Sequence, residues 1–398
     1  MDAKYEISEW IVSAALAGRD EAEIVAGVCE RMIGGGISVV RASVASNLLD
    51  PTFDARGVRW QRSQGVVDEA FVLTADTAAE EDWKRSPFFR LVESGEPMLR
   101  RRLDATYRRG EFPMLDRLQD EGGTDYAAFA LRVGRSVRLG EGKGLAASWT
   151  TDAPNGFTEA QIGLLAGILP ALTLAMFLRI THRAARTLLA TYLGSDAAER
   201  VLAGNIVRGR AEPIRAVVWL SDLVGFTHIA DTTSAAAVLQ LLNDYAEAQV
   251  EEIEAHGGHV LKFIGDGILA IFPGDDPASA CRSALDAATA QRSRIKVLNA
   301  KRSASGLPAT DTHVALHVGE VLYGNLGSVR RLDFTVLGPA VNEAARMEAL
   351  CASLEQSIIV SSAFAGAAGE AKDRLVSLGR YAMKGVARPQ ELFTLDLG

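Results

Sequence analysis

Hydrophobic positions along the 398-residue chain change period several times, and each change marks an element. Helical spacing runs from Tyr5 to Leu16 and from Glu21 to Ile33, and Gly34, Gly35 and Gly36 close the second helix. Strand-like runs occupy Ile37–Ala45 and Val58–Ser63, then Ala127–Val133 and Gly144–Thr150, the last two flanking a glycine-rich turn. Asp82–Glu93 reads as a helix between them. Ala160–Leu178 then carries no charge at all. That length suits a membrane span. Gln161, Gly163, Gly167, Pro170 and Thr173 interrupt it, and no second segment of the kind exists, so a buried or dimer-forming helix is the first expectation and a single membrane-associated helix the alternative. His182–Asn205 predicts two short connecting helices, split at Gly194-Ser195.

The C-terminal half alternates differently. Strand runs at Val217–Trp219, Val260–Ile264, Ile268–Phe272, two within His313–Gly327, and Phe334–Leu337 are interleaved with amphipathic helices at Ser234–Ala255 and Pro277–Ala300. The order is β-α-β-β-α-β, which predicts an α+β, antiparallel-rich sheet with helices on one face.

Composition narrows the function. At 48% hydrophobic and 23% charged the chain is an ordinary globular sequence, and a net charge of −8 argues against nucleic-acid or anionic-membrane binding. Cys29, Cys281 and Cys351 lack metal or redox spacing and predict reduced, packed thiols in a cytoplasmic setting. Met1–Trp10 has no signal-peptide pattern. Arg100–Arg102, Arg108 and Arg109 read as a solvated helix face or loop, diluted by Glu96, Asp104, Glu111 and Asp116. Gly140–Gly144 (GEGKG) lacks the spacing of a phosphate loop and predicts a hairpin turn. His256 and His259 flank two glycines and read as turn residues, not ligands.

Two acids stand out. Asp222 ends one apolar strand and Asp266 lies between two glycines after another. An acid at the end of a buried strand is costly without a cation. Magnesium takes one or two carboxylates together with substrate phosphates. Further on, Asn342 and Arg346 are four apart in a predicted helix, so an amide and a guanidinium share one face.

Taken together, the motifs SDLVGFT, KFIGDG, GNLG, FTVLGPAVNEAARM and MKGVARP resemble, in family order, the catalytic domain of class III nucleotidyl cyclases. The resemblance covers nearly half the chain. It implies that Asp222 and Asp266 hold two Mg²⁺ or Mn²⁺ ions. It implies that Lys262 and Thr335 read the base, Asn342 orients the ribose, Arg346 stabilises the reacting phosphate and Lys384 binds terminal phosphates. The loop Leu223, Gly225, Phe226 and Thr227 would offer backbone N–H groups to phosphate. Each active site would lie between two copies of the domain, so a homodimer acting on ATP is expected. A Lys ammonium only donates, which suits adenine N1. Thr335 stands where many relatives carry Asp and resembles the subfamily that includes bicarbonate-responsive cyclases. Glu320 departs from relatives with Arg near the phosphates. The phrase TTDAPNGFTEAQIGLLAGI resembles the end of a GAF-type sensor, receiving an unknown small-molecule or protein signal. The expected plan is a GAF-like regulatory region over 1–180, a helical linker over 181–212 and a catalytic domain over 213–398. A guanylate cyclase and an inactive cyclase-fold binding module are the alternatives.

Overall fold

The computed structural model describes residues 3–46, 55–71, 77–132, 144–383 and 389–396, which divide into two compact units, Met1–Leu188 and Leu189–Gly398. The first is built from α1 (Ala3–Leu16), α2 (Glu21–Gly34), β1 (Arg41–Ser46), β2 (Ala55–Gln61), β3 (Gly65–Phe71), α3 (Thr77–Lys84), α4 (Pro87–Ser94), β4 (Met98–Arg102), α5 (Pro113–Asp120), β5 (Asp125–Arg132), β6 (Gly144–Thr151) and all but the last five residues of α6 (Glu159–Leu193). Its strands form one six-stranded sheet in the order β3-β2-β1-β6-β5-β4, each neighbouring pair antiparallel. One core cluster joins Ile11 of α1, Met32 of α2 and Leu165 and Leu172 of α6 to Val44, Phe129 and Trp149 of the sheet. A second gathers Leu91 of α4 and Leu115 of α5 with Leu99, Tyr126 and Ala128.

Three local expectations are corrected here. Asp82–Glu93 is not one helix: Ser86 accepts a hydrogen bond from the Phe89 N–H (3.1 Å) and Pro87 opens a new helix, a start signal that splits α3 from α4. The arginine run is strand β4, not a helix face or loop, and its side chains are paired. Arg100 binds Asp125 (2.8 Å) and Glu159 (2.7 Å), Arg101 binds Glu111 (2.6 Å), and Arg102 reaches Asp104 (3.3 Å). The apolar segment and the first connecting helix are one continuous helix, α6, which passes through the exposed Pro170 and stops before Gly194. By length and composition α6 could cross a membrane, yet Ile162, Leu165, Ile168, Leu169, Leu172 and Met176 are buried in the first unit's core. Residues 133–140 and 141–143, which include most of the GEGKG stretch, lie outside the described residues.

The second unit contains α7 (Ser195–Leu202), β7 (Ala211–Leu223), α8 (Phe226–Thr232), α9 (Ala235–Ala255), β8 (His259–Ile264), β9 (Gly267–Pro273), α10 (Pro277–Ala304), β10 (Thr312–Ser328), β11 (Arg331–Leu337), α11 (Pro339–Glu348), β12 (Ile358–Ser361), α12 (Ser362–Ala367), β13 (Leu375–Tyr381) and β14 (Gln390–Leu395). The sheet order is β13-β14-β12-β10-β7-β9-β8, with β11 also paired to β10. Its centre, β10-β7-β9-β8, is wholly antiparallel and is made by the predicted β-α-β-β-α-β order. β7 shows why the helices lie on both faces and not on one. Val217 and Trp219 point into the cluster with Ala284 and Leu285 of α10, while Ala216 and Val218 point into the cluster with Ala340 and Ala344 of α11. The two strands expected within His313–Gly327 are a single 17-residue strand, β10. Gly324 does not break it; a Cβ there would come within 2.2 Å of the Arg210 carbonyl, so the glycine permits close backbone approach.

Candidate active site

β7 and the β8–β9 hairpin set the central feature. Asp222 is the penultimate residue of β7, and Asp266 sits on the two-residue turn Gly265-Asp266 between β8 and β9. Because β9 pairs with β7 up to Ser221↔Ile268, the hairpin tip lies beside the end of β7. Gly265 adopts φ +65°, which an L side chain resists. A Cβ on Gly267 would lie 2.4 Å from the Ser221 carbonyl and 3.2 Å from Asp222 Oδ1. Both glycines are thus needed to bring the acids together. The Leu223 N–H donates to Asp266 Oδ2 (3.2 Å).

The Asp222 carboxyl is pushed up to about 7. Burial is the largest cause, followed by its hydrogen bond with Asp266, the charge of Asp266 and the charge of Glu348. Glu348, at the end of α11, is itself raised by burial and by Asp266. Glu348 lies one residue past the motif that ends at Met347, and nothing local in the sequence signals that it faces Asp266. Two carboxylates turned toward each other are what a hard divalent cation would relieve. Among the described residues no group of three or more His, Cys, Asp or Glu could hold a metal, so the fit is that of a carboxylate pair open to further oxygen ligands. His256 instead caps α9, its Nδ1 2.8 Å from the Glu252 carbonyl.

The other site residues divide. Lys262 is on β8, just past a register shift between Val260 and Lys262. Its Nζ lies 2.6 Å from Asp333 Oδ2 on β11, the strand that carries Thr335. Thr335 is 2% exposed, and its hydroxyl is buried with no hydrogen-bond partner. Asn342 and Arg346 lie on α11, Asn342 exposed and Arg346 half-buried; neither makes an ion pair or side-chain hydrogen bond with a described residue. The structure therefore joins Asp222 to Asp266 and Lys262 to β11, and gives Asn342 and Arg346 no side-chain hydrogen bond or ion pair with either group, although Glu348 on the same helix acts on both acids. In the loop after β7, the Leu223 N–H is taken by Asp266 and the Val224 N–H by the Asp311 carbonyl (2.9 Å). Gly225, Phe226 and Thr227 open α8, where N–H groups have no intrahelical acceptor. Glu320 is exposed on β10, opposite Arg215 in register. Lys384 lies outside the described residues.

Residues 211–396 match the family model described as the adenylate and guanylate cyclase catalytic domain. The adenylate cyclase of Anabaena cylindrica is 33% identical over 161 residues, covering 39% of this chain and 31% of that protein. The chain thus spans about a third of that relative's length. The adenylyl cyclase CyaB from P. aeruginosa is 26% identical, covering 48% of this chain and 97% of that structure, with a TM-score of 0.44. The guanylyl cyclase Cya2 is 27% identical over 47% of this chain and 95% of that one, with a TM-score of 0.41. Residues 211–396 are an adenylate/guanylate cyclase catalytic domain. Within that class, the family description spans both purine bases.

Proposed function

We propose that the second unit is the catalytic domain of an adenylate cyclase, forming 3′,5′-cyclic AMP and pyrophosphate from ATP. The observation that carries this is the pairing of Asp222 with Asp266 while Arg346 and Asn342 stay unengaged on another helix. Two divalent cations, Mg²⁺ or Mn²⁺, held by the two acids would activate the ribose 3′-hydroxyl and neutralise the departing pyrophosphate. The chain's own residues do the rest. Lys262 donates to adenine N1 and meets a donor if guanine is bound. Asn342 orients the ribose, so that the 3′-oxygen attacks the α-phosphorus in line. Arg346 stabilises charge on the phosphate in the transition state. The first N–H groups of α8 hold the β- and γ-phosphates with Lys384.

Asn342 and Arg346 make no hydrogen bond or ion pair with the acids of their own chain, which supports a two-fold homodimer with each site drawn from two copies. The first unit, with its six-stranded antiparallel sheet, fits a GAF-like regulatory region over 1–180, joined through a helical linker at 181–212. Thr335 favours kinship with the threonine-bearing subfamily.

The test is a pair of assays on the purified protein. Incubation with ATP and Mn²⁺ yields cyclic AMP, in excess of cyclic GMP from GTP. Mixing inactive Asp222→Ala with inactive Arg346→Ala then restores activity, up to about a quarter of wild type for random pairing, because one site of each mixed dimer is intact. No cyclic product overturns the enzyme; a dead mixture of demonstrably exchanged subunits overturns the shared site.

A further inference from the structure

The strand end that carries Asp222 is fastened on the α9–α10 face of the sheet. Ser221, one residue before the acid, is buried, and its hydroxyl donates to Gln249 Oε1 of α9 (2.7 Å). Leu223, one residue after it, packs with Leu241, Tyr245 and Ala248 of α9 and Ile295 of α10. Val224 is held by its backbone. Its N–H donates to the Asp311 carbonyl (2.9 Å), and its carbonyl accepts from the Thr310 hydroxyl. Thr310 is itself fixed at every polar group. Its N–H donates to the Tyr245 hydroxyl (2.7 Å), and its carbonyl accepts from Asn299 Nδ2 of α10 (2.7 Å). The Tyr245 hydroxyl donates in turn to Asn299 Oδ1, which closes a ring of three residues. Tyr245 is fully buried, so its hydroxyl would be costly there without these partners. A phenylalanine and a valine would fill the same space. What the tyrosine and the threonine add is their hydroxyls, and both are committed to the segment beside Asp222. A fully matched polar group of this kind fixes one backbone geometry.

We infer that Thr310, with Tyr245 and Asn299 behind it, is a positioning residue for the Asp222–Asp266 pair: by holding Val224 it keeps Asp222 and the Leu223 N–H in place against Asp266. This rests on the reading of that pair as a cation site. The Leu223 N–H donates to Asp266 Oδ2 (3.2 Å), and the next N–H along, that of Val224, goes to Asp311. A turn of the chain about Val224 would swing the Leu223 donor away and part the two carboxylates, whose like charges already favour separation. A divalent ion needs its oxygens within a narrow range of distances, so acids held together beforehand bind it at lower cost. Thr310 touches no reacting atom and acts through Val224.

The experiment follows the melting temperature of the full-length protein against Mn²⁺ concentration, without nucleotide, from an EDTA baseline. A cation bound by the folded chain alone raises the melting temperature, and the concentration needed for a given rise scales with its dissociation constant. In Thr310→Val that concentration should go up about fivefold, the weight of one hydrogen bond and less than the roughly tenfold or more typical of groups bonded directly to metal ligands. Tyr245→Phe should move it in the same direction. Thr310→Ser, which keeps the hydroxyl, should return it to the wild-type value. The half-saturating Mn²⁺ for cyclic AMP formation should shift by the same factor. A merely structural role lowers the EDTA baseline and leaves the Mn²⁺ concentration unmoved. A wild-type Mn²⁺ curve in Thr310→Val overturns the inference while the cation site stands. So does a Thr310→Ser curve like that of Thr310→Val, because the hydroxyl is then not the cause. No rise in wild type overturns the cation site and this inference with it. A shift without any cyclic product supports the positioning role and overturns the cyclase.

Discussion

Asp125 and Asp222 are carboxylates in two different sheets, and the groups they meet are opposite in sign. Asp125 begins β5 and its side chain is fully enclosed. Arg100 binds it through Nη2 (2.8 Å) and Nε (3.1 Å), and the Phe157 N–H donates a third bond at 3.0 Å. Arg100 in turn reaches Glu159 at the start of α6 and the Phe157 carbonyl, so donors and acceptors in the group are matched. Asp222 meets another acid, Asp266, and feels a third, Glu348. The first arrangement completes itself: charge-assisted bonds offset the desolvation of the acid and fix β4, β5 and α6 together. The second is incomplete on its own terms, because among the described residues the backbone N–H of Leu223 is the donor set against the like charges and no cationic side chain is paired with them. A buried acid that the chain neutralises is a structural group; a pair it leaves in conflict is a place for something from outside.

The largest expected effects come from exchanging these roles. Asp222→Ala or Asp266→Ala should lower turnover by orders of magnitude, with cooperative unfolding preserved. Turnover close to wild type in either purified variant would remove the two acids from the reaction. Asp125→Ala should do the reverse. It leaves the Arg100 guanidinium, 21% exposed, with only the exposed Glu159 and the Phe157 carbonyl as partners, at a cost of about 1.5–3 kcal/mol for the charge-assisted bonds lost. Urea unfolding of the first unit should shift accordingly. A midpoint equal to wild type would mean that the ion pair is dispensable and that the contrast between the two acids is not one of structure against function.

How far this contrast was legible in sequence depended on the range of the interactions. Asp266 was placed on its turn by local chemistry, since Gly-Asp-Gly between two apolar runs demands a tight hairpin. The spacing of Asn342 and Arg346 fixed their shared helix for the same reason. The arginine run failed because three like residues in a row show no alternation, and their partners stand at Glu111, Asp125 and Glu159. A run of charge reads as solvated unless those partners are known. β10 was divided because its glycines look like breaks, whereas Gly324 serves close packing against Arg210. Lys262 and Asp333 are 71 positions apart, and only the pairing of distant strands brings them to 2.6 Å. Glu348 belongs to the same class: its helix was evident, but the face it turned to Asp266 was not.

The smallest expected effect is the most direct check on the conflict at Asp222. Its carboxyl is pushed up from the usual 3.8 to about 7 in the folded protein, chiefly by burial and then by Asp266. Below about pH 4 both folded and unfolded chains hold the proton and Asp222 costs nothing. As pH rises toward 7 the unfolded chain releases its proton while the folded chain keeps it, so stability falls across that window and the loss is complete above it. A shift of this size corresponds to about 4 kcal/mol, which solvent screening of a half-exposed pair reduces to about 1–2 kcal/mol. Asp222→Asn removes the titration. In EDTA it should therefore melt a few degrees above wild type at pH 8, with the difference shrinking as pH is lowered to 4. Manganese should act in the opposite sense, raising the melting temperature of wild type more than that of Asp222→Asn, because the cation relieves a repulsion that only wild type has. Equal melting of the two proteins at pH 8 without metal, together with an equal response to manganese, would show that Asp222 and Asp266 are not in conflict and that no cation is needed to reconcile them.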